Sequence, residues 1–239
     1  VSFGHGTANA HDEAAWLVLW GLGLPLDTDT TEHATALTPE QCQRLDALIT
    51  ERITTRRPAA YITQEAWLQG VSFYVDERSI VPRSFIAELI AEGTLDLWLS
   101  ERTERVLDLC TINGERHGLT QRIRWCESDV WSGCPGPWDL VLCNPPYVNS
   151  QSMDELPAEF RAEPALALAG GSDGMDFIRQ LLAAAPQHLS AHGVLVLEIG
   201  HEREHFEAAF PHLQPVWLST SAGDDQVLLL TADALGVRA

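Results

Sequence analysis

The sequence is poor in basic residues. It has 15 Lys and Arg against 34 Asp and Glu, which gives a formal net charge of −19 at pH 7. A surface this acidic repels phosphate backbones, so we expect no direct nucleic-acid binding. The same charge suits a basic protein partner, because opposite electric fields speed encounter. A contribution to solubility alone would also explain the acidic net charge.

Long apolar runs, a leader pattern and paired cysteines are missing as well. No uncharged apolar stretch reaches the roughly 18 residues of a membrane helix. Residues 1–6 lack the pattern of a signal peptide, and a start at Val rather than Met suggests a genetic start upstream. Without a CxxC pair, we expect reduced thiols in a cytoplasmic protein, with Cys110, Cys126 and Cys143 buried in strands.

The first part of the chain has the periodicity of helices. Apolar residues at helical spacing predict helices over residues 8–23 and 38–56. Thr38 followed by Pro39 is typical of a helix start, since proline is well tolerated at the first helical position. We therefore predict a small helical domain over residues 1–62.

Strand patterns follow. Alternating apolar and polar residues predict a β-hairpin linker over residues 63–84. Several later runs are apolar throughout, which suits strands buried on both faces of a parallel sheet. We therefore predict an α/β domain over residues 85–239. Its predicted elements are strands at 106–110, 122–126, 139–143 and 194–198, helices at 84–99 and 174–189, and a closing strand pair at 214–219 and 226–231.

The run Asn144-Pro145-Pro146-Tyr147, here called the NPPY loop, directly follows the predicted strand that ends at Cys143. Ligands of open parallel sheets bind beyond the carboxyl ends of the strands. Two prolines restrict the backbone of this loop, and rigidity helps where a small acceptor must be held accurately. An Asn-Pro pair alone would indicate only a turn.

The loop suits methylation of a planar nitrogen. An amide or aromatic amine nitrogen is a poor nucleophile, because its lone pair is delocalised. The Asn144 side-chain oxygen and the Pro145 carbonyl could accept its two N–H groups, while Tyr147 packs on the planar group. This would align the nitrogen with an electrophilic methyl group, and orientation can supply about 7–11 kcal/mol in the best cases.

The chain resembles the N5-glutamine methyltransferases, which have a Rossmann-like, seven-stranded α/β fold and use S-adenosylmethionine. It resembles in particular the branch that modifies a glutamine of large-subunit ribosomal protein three. The blocks Phe73–Arg78 and Val81–Ser84 point to that branch, whereas adenine-N6 methyltransferases share the NPPY loop. The other matching segments are Phe3–Thr7, Pro58–Tyr61, Glu163–Pro164, Gly170–Gly174 and Glu198–Gly200.

The resemblance implies roles for individual residues. It implies that Asn144, Pro145, Pro146 and Tyr147 form the catalytic acceptor site. Pro82 and Arg83 lie in a segment that would close over the site, and no metal is implied. The resemblance also implies that the helical domain over residues 1–62 recognises the substrate. The residues implied to bind S-adenosylmethionine are Asp108, Cys110, Thr111, Asp129, Val130, Asn144, Pro82 and Arg83.

The sequence departs from the family pattern after Thr111. The family continues there into a Gly-x-Gly turn, a helix, a second strand and a further helix, whereas Thr111 runs straight into Ile112. Roughly 35–40 residues, about one βαβ unit, have no counterpart. A true deletion would remove a central strand and most of the cofactor site. We therefore expect the natural protein to carry this segment.

Two other motifs have competing interpretations. His201–His205 fits the HExxH pattern of zinc proteases, but so charged a run is more typical of an exposed helix. Gly170–Gly174 could form a phosphate nest, but it lacks the Lys-Ser/Thr ending of a P-loop and contains the acid Asp173. We expect a turn before a helix and no metal site.

Taken with the resemblance, these features predict an enzyme that methylates a glutamine side-chain amide of a basic large-subunit ribosomal protein. Two other acceptors stay open, a release-factor glutamine and adenine, and the lack of a basic patch disfavours adenine. A non-catalytic ribosome-assembly module is the alternative from a different class. It gains weight only if the segment after Thr111 is truly deleted.

Overall fold

The computed structural model describes residues 1–29, 36–109, 117, 121–124 and 126–237. The chain divides into two compact units. The first comprises Val1–Arg83 and Leu156–Pro164, and the second comprises Ser84–Glu155 and Ala165–Ala239. The hairpin therefore groups with the N-terminal helices. The domain limits at residues 62 and 84 stay predictions.

The first unit contains both predicted helices, α1 (Ala10–Leu22) and α2 (Pro39–Thr55), followed by the short α3 (Ala59–Thr63). Thr38 caps α2 as predicted. Its hydroxyl accepts a hydrogen bond from the Gln41 amide, and the Gln41 side chain accepts one from the Thr38 amide. This capping box satisfies two amides that a helix start otherwise leaves unpaired.

The predicted β-hairpin is confirmed in the first unit. Strands β1 (Glu65–Leu68) and β2 (Val71–Tyr74) pair in antiparallel register. Gln69 and Gly70 both have positive φ, at 48° and 75°, which is the backbone of the tight turn that matches strand twist. The buried apolar residues of this unit cluster together and comprise Trp16, Leu17, Ala59, Ala60, Tyr61, Ala66, Val75 and Val81.

The second unit contains a mixed sheet. Its strands are β3 (Val106–Leu109), β4 (Trp138–Cys143), β5 (Leu189–Glu198), β6 (Val216–Thr220) and β7 (Gly223–Thr231). They lie in the order β3-β4-β5-β7-β6, and the first three are parallel. Strand β7 runs antiparallel to both of its neighbours. The α/β architecture and the closing strand pair are confirmed, and the described residues supply five strands to this sheet.

Both faces of the sheet are buried, which explains the continuous apolar runs. Alternate residues of β4 belong to different apolar clusters, with Val141 and Cys143 in one and Leu140 and Leu142 in the other. Helices contribute to each cluster. They are α7 (Asp176–His188) and α8 (Arg203–Ala209) on the first face, and α4 (Phe85–Ala91) on the second.

The remaining elements are short. Helices α5 (Ser150–Glu155) and α6 (Ala158–Arg161) are accompanied by 3₁₀ turns at Thr94–Leu97 and Ala165–Ala167. The predicted helix over 84–99 is too long, because Gly93 separates α4 from a 3₁₀ turn. No helix in the described parts of the chain is long and apolar enough to cross a membrane.

The strand predicted at 122–126 is wrong for the residues that the structure describes. Residues 122–124 and Cys126 are outside any strand, and β3 pairs directly with β4. Cys126 is therefore exposed rather than buried, while Cys143 is buried as predicted. Cys42, Cys126 and Cys134 are free thiols. Cys110 lies outside the described residues.

Candidate functional site

The carboxyl ends of three parallel strands meet at one edge of the sheet. Leu109 of β3 pairs with Cys143 of β4, which in turn pairs with Leu197 of β5. Asn144 and Glu198 each follow directly along the chain, so both stand at this edge. The NPPY loop thus begins where ligands of parallel sheets bind, as the sequence predicted.

The amide of Asn144 has a defined orientation. Its Nδ2 donates a hydrogen bond to Oε1 of Glu198 at 3.2 Å. Because the oxygen and nitrogen of an amide point apart, Oδ1 is directed away from this contact. Asn144 is half-buried, whereas Glu198 is only 1% exposed. An acceptor oxygen in this place is what binding of a substrate amide N–H requires.

The other oxygen of Glu198 holds the start of α4. Oε2 accepts hydrogen bonds from the Ser84 hydroxyl at 2.7 Å and from the Phe85 amide at 2.9 Å. Glu198 therefore joins the NPPY loop to this helix. No role at the site was predicted for Glu198 from the sequence, although a carboxylate at the end of an apolar strand is a signal that could have revealed one.

Three glycines surround Tyr147. A Cβ on Gly200 would lie 2.7 Å from Cε2 of the ring, and one on Gly170 would lie 2.7 Å from the Tyr147 Cα. A Cβ on Gly174 would lie 2.2 Å from the Tyr147 carbonyl oxygen. These contacts leave no room for larger residues. The blocks Gly170–Gly174 and Glu198–Gly200 thus shape the NPPY loop.

The chain after the NPPY loop is also fixed. The Val148 amide donates to the Leu168 carbonyl at 2.8 Å, and the Gly170 amide donates to the Val148 carbonyl at 2.9 Å. The Asn149 side chain donates to Oε1 of Glu202 at 2.8 Å. These bonds fix the chain that directly follows Tyr147, which favours a preformed site.

The structure places only part of the predicted cofactor site. Asp108 lies in β3 opposite Leu142, whereas Cys110 and Thr111 are outside the described residues. Asp129 is exposed, and Val130 belongs to the apolar cluster that includes Leu107 of β3. Val130 has a φ of 51°, which is unusual for a β-branched residue. Such strain is often found at functional sites. The cofactor roles stay predictions.

Pro82 and Arg83 belong to the first unit. Two guanidinium nitrogens of Arg83 donate to the two carboxylate oxygens of Glu163, each at 2.6 Å, and the Val81 amide donates to the same carboxylate at 2.8 Å. Burial by itself raises the pKa of Glu163, but the nearby His5 imidazole, whose Nε2 lies 3.6 Å from Oε2, and the hydrogen bonds from Arg83 outweigh it and lower the pKa to about 2. Arg83 therefore pairs with Glu163, and its predicted closing role stays a prediction.

The HExxH run does not form the geometry of a zinc protease. His201 precedes α8 and its Nδ1 pairs with Gln226 at 2.9 Å. His205 pairs instead with Glu202 at 2.5 Å. The predicted helix is present, but Glu202 is only 8% exposed rather than solvated. Within the described ranges, no group of three potential ligands could hold a metal ion.

The Gly170–Gly174 segment is a turn before a helix, as predicted, although α7 begins at Asp176 rather than at residue 174. Asp173 accepts a hydrogen bond from the Met175 amide at 3.1 Å and forms an ion pair with Arg179. Hydrogen bonding to Arg179 lowers the pKa of Asp173. A paired carboxylate at this place suits a structural turn better than a phosphate site.

Comparison with known proteins adds independent evidence. A family profile described as the PrmC N-terminal domain matches residues 4–63. The chain is 50% identical to the ribosomal protein uL3 glutamine methyltransferase of Bordetella pertussis, over 98% of this chain and 90% of the relative. Proteins of the same name from Burkholderia pseudomallei and Neisseria meningitidis are 43% and 42% identical over 98% of this chain. The chain covers 90% and 88% of these two relatives.

These alignments are longer than the chain itself. The alignment with the Bordetella protein extends over 271 residues and that with the Burkholderia protein over 277, whereas this chain has 239. The relatives therefore carry residues that have no counterpart in this sequence.

Proposed function

The chain belongs to the family of ribosomal protein uL3 glutamine methyltransferases, and we propose that the NPPY loop forms the acceptor half of its active site. The enzyme transfers a methyl group to a glutamine side-chain amide of ribosomal protein uL3. The observation that carries the proposed site is the hydrogen bond from Asn144 Nδ2 to Glu198. It turns the amide oxygen of Asn144 away from Glu198, toward the place proposed for the substrate glutamine.

The loop would act by holding a poor nucleophile in line. Asn144 Oδ1 and the Pro145 carbonyl accept the two N–H groups of the glutamine amide, and Tyr147 packs beside its plane. The nitrogen lone pair is then directed along the path of the methyl group. Two acceptor oxygens also stabilise the positive charge that grows on nitrogen, until the proton leaves after transfer.

The proposed donor is S-adenosylmethionine, which supplies an electrophilic methyl group on a positively charged sulfur. The carboxyl edge of β3–β5 is the place where such a nucleoside ligand fits a parallel sheet. Asp108, the penultimate residue of β3, and Val130, which belongs to the same apolar cluster as Leu107, support this placement. We propose that Asp108, Cys110, Thr111, Asp129, Val130 and Asn144 bind it, with Pro82 and Arg83 closing over it.

The residues of the relatives that have no counterpart in this chain fit the same proposal. The alignments with the relatives are longer than this chain, which supports a natural protein with roughly 35–40 further residues, about one βαβ unit, after Thr111. Such a unit would extend the five described strands toward a seven-stranded, Rossmann-like sheet.

The proposed partner is uL3 itself, met in the cytoplasm where ribosomal proteins are made. A formal net charge of −19 supports capture of a basic substrate, because opposite fields raise the association rate. It gives no support to direct contact with ribosomal RNA.

The test compares Asn144→Ala with wild type on purified uL3, with radiolabelled S-adenosylmethionine as the donor. We expect methyl transfer to fall by about 100-fold or more, because the acceptor nitrogen loses its alignment. Cofactor affinity, measured by calorimetry, should stay within about threefold. Gln187→Ala, which removes an exposed amide side chain on α7, is the matched control.

A parallel reaction on a release factor tests the alternative acceptor. Methylation of uL3 but not of the release factor supports the proposal. A folded Asn144→Ala protein with an unchanged rate on uL3 would contradict it.

A further inference from the structure

The carboxylate of Glu198 contacts Asn144, a residue of the proposed acceptor site. Its carboxylate lies within the protein and is 1% exposed. A buried charge is costly unless hydrogen bonds compensate it. Its Oε1 accepts from Asn144 and its Oε2 accepts from Ser84 and Phe85. One of these contacts reaches the side chain that would bind the substrate.

The orientation of Asn144 matters for catalysis. An asparagine amide can turn over with little change of shape, because its oxygen and nitrogen differ mainly in hydrogen-bonding character. The turned-over amide would present an NH₂ group to the NH₂ group of the glutamine. Two donors cannot pair, so this orientation would not bind the acceptor. Something must therefore select between the two orientations.

We propose that Glu198 is the positioning residue that makes this selection for the acceptor reaction of the proposed function. A carboxylate has acceptors only, so it attracts the Nδ2 of Asn144 and repels Oδ1. Asn144 is then held with its oxygen toward the glutamine. The inference depends on the proposed role of Asn144.

Glu198 also acts through its charge. A hydrogen bond to an ionised acceptor is roughly twice as strong as a neutral one. It polarises the Asn144 amide and makes Oδ1 a better acceptor, since hydrogen bonds in a chain strengthen one another. The glutamine nitrogen becomes positive as the methyl group arrives, so this polarisation is worth most in the transition state.

The carboxylate itself is held in place. The Ser84 hydroxyl and the Phe85 amide, at 2.7 and 2.9 Å, fix Oε2 at the start of α4. A rigid support of this kind is what accurate orientation of a reactive group requires.

The first experiment uses Glu198→Gln, which keeps the size of the side chain. Its amide oxygen can still accept from Phe85, but its NH₂ group then faces Asn144 and favours the turned-over orientation. We expect kcat for uL3 methylation to fall about 10- to 100-fold, with cofactor affinity within about threefold. The matched control is Glu88→Gln on α4, the helix whose start bonds to Glu198, and there the Glu88 carboxylate accepts from Ser221. This control should leave kcat unchanged.

A double-variant cycle separates positioning from general stability. In an Asn144→Ala background, Glu198→Gln should change kcat by less than about threefold, because the amide that Glu198 orients is then absent. Equal losses in both backgrounds would overturn the inference. If Asn144→Ala alone leaves the rate unchanged, the proposed function fails. If it reduces the rate while Glu198→Gln does not, only the present inference fails.

A second pair of variants tests orientation directly and guards against a folding defect in either single variant. Asn144→Asp alone places two carboxylates in contact and should be nearly inactive. Adding Glu198→Gln reverses the hydrogen bond and restores an oxygen toward the acceptor. We expect kcat to recover at least tenfold over Asn144→Asp. A double variant no more active than Asn144→Asp would overturn the inference.

Discussion

Gly200 lies directly against the ring of Tyr147, since a Cβ on Gly200 would stand 2.7 Å from Cε2 of the tyrosine. Two residues earlier in the chain, Glu198 bonds to Asn144. The last residue of β5 and the turn that follows it therefore support the first and the last residue of the NPPY loop. We infer that the position of this loop depends on β5 as much as on its own prolines.

The first prediction concerns Gly200→Ala. Gly200 has a φ of 54°, where an L-residue costs about 1–2 kcal/mol, and the added methyl group also collides with Tyr147. We expect the free energy of unfolding to fall by about 2–4 kcal/mol. Displacement of Tyr147 should also lower kcat for uL3 by about tenfold or more. Urea unfolding and steady-state kinetics measure the two effects.

Gly236→Ala is its control. Gly236 has a φ of 74° and nothing within 4 Å of the added Cβ. Gly236→Ala should lower the free energy of unfolding only by the backbone strain of about 1–2 kcal/mol, and it should leave kcat unchanged. Equal kinetic losses in both variants would show that the contact with Tyr147 is irrelevant to catalysis.

Local sequence signals predicted the elements whose causes are local. Thr38 and Pro39 marked the start of α2, and the alternation after residue 63 marked the hairpin. The failed strand at 122–126 depends instead on a neighbour. A strand needs a hydrogen-bonded partner, and β3 pairs with β4. The periodicity of one segment does not show whether a partner strand lies beside it.

In the candidate site, too, the residues with local sequence signals were predictable and those that depend on distant contacts were not. Asn144 was predictable because its proline neighbours and the preceding apolar run are adjacent in sequence. The role of Glu198 was not, because its bond to Asn144 joins residues 54 positions apart. The pairing of Arg83 with Glu163 likewise spans 80 positions. Only the folded chain brings these pairs together.

The second prediction concerns pH. The nearby His5 imidazole and the hydrogen bonds from Arg83 overcome the effect of burial and lower the pKa of Glu163 from 4.5 to about 2. A depressed folded-state pKa adds stability above about pH 4.5, and this stability is lost as the pH falls toward 2. We expect a loss of about 3 kcal/mol over that window. Urea unfolding at several pH values, followed by circular dichroism, measures it.

Glu163→Gln should remove much of this pH dependence and destabilise the protein at pH 7, since Arg83 loses its charged partner. Asp46→Asn, on an exposed part of α2, is the matched control and should retain the pH dependence of wild type. If Glu163→Gln and Asp46→Asn gave the same pH profile, Glu163 would not be the source of the effect.

The third prediction concerns thiol reactivity. Cys42 and Cys126 are exposed, whereas Cys134 and Cys143 are buried. Burial, together with hydrogen bonding to Cys126, raises the pKa of Cys134, and a protonated, buried thiol reacts slowly. With iodoacetamide at pH 8, peptide mapping should show alkylation of Cys42 and Cys126 at least tenfold faster than of the other two. Rapid alkylation of Cys134 in folded protein would contradict this placement.

The last prediction concerns metal dependence. His201 pairs with Gln226 and His205 pairs with Glu202, so the two imidazoles do not share a metal-binding face. Treatment with a chelator should therefore leave uL3 methylation unchanged, and protein purified without a His tag should contain far less than one zinc per chain. His201→Ala should keep kcat within about threefold, since its contact is with Gln226 rather than with the NPPY loop. Stoichiometric zinc together with loss of activity on chelation would show that the HExxH run binds a metal after all, and His205→Ala would then abolish zinc binding as well.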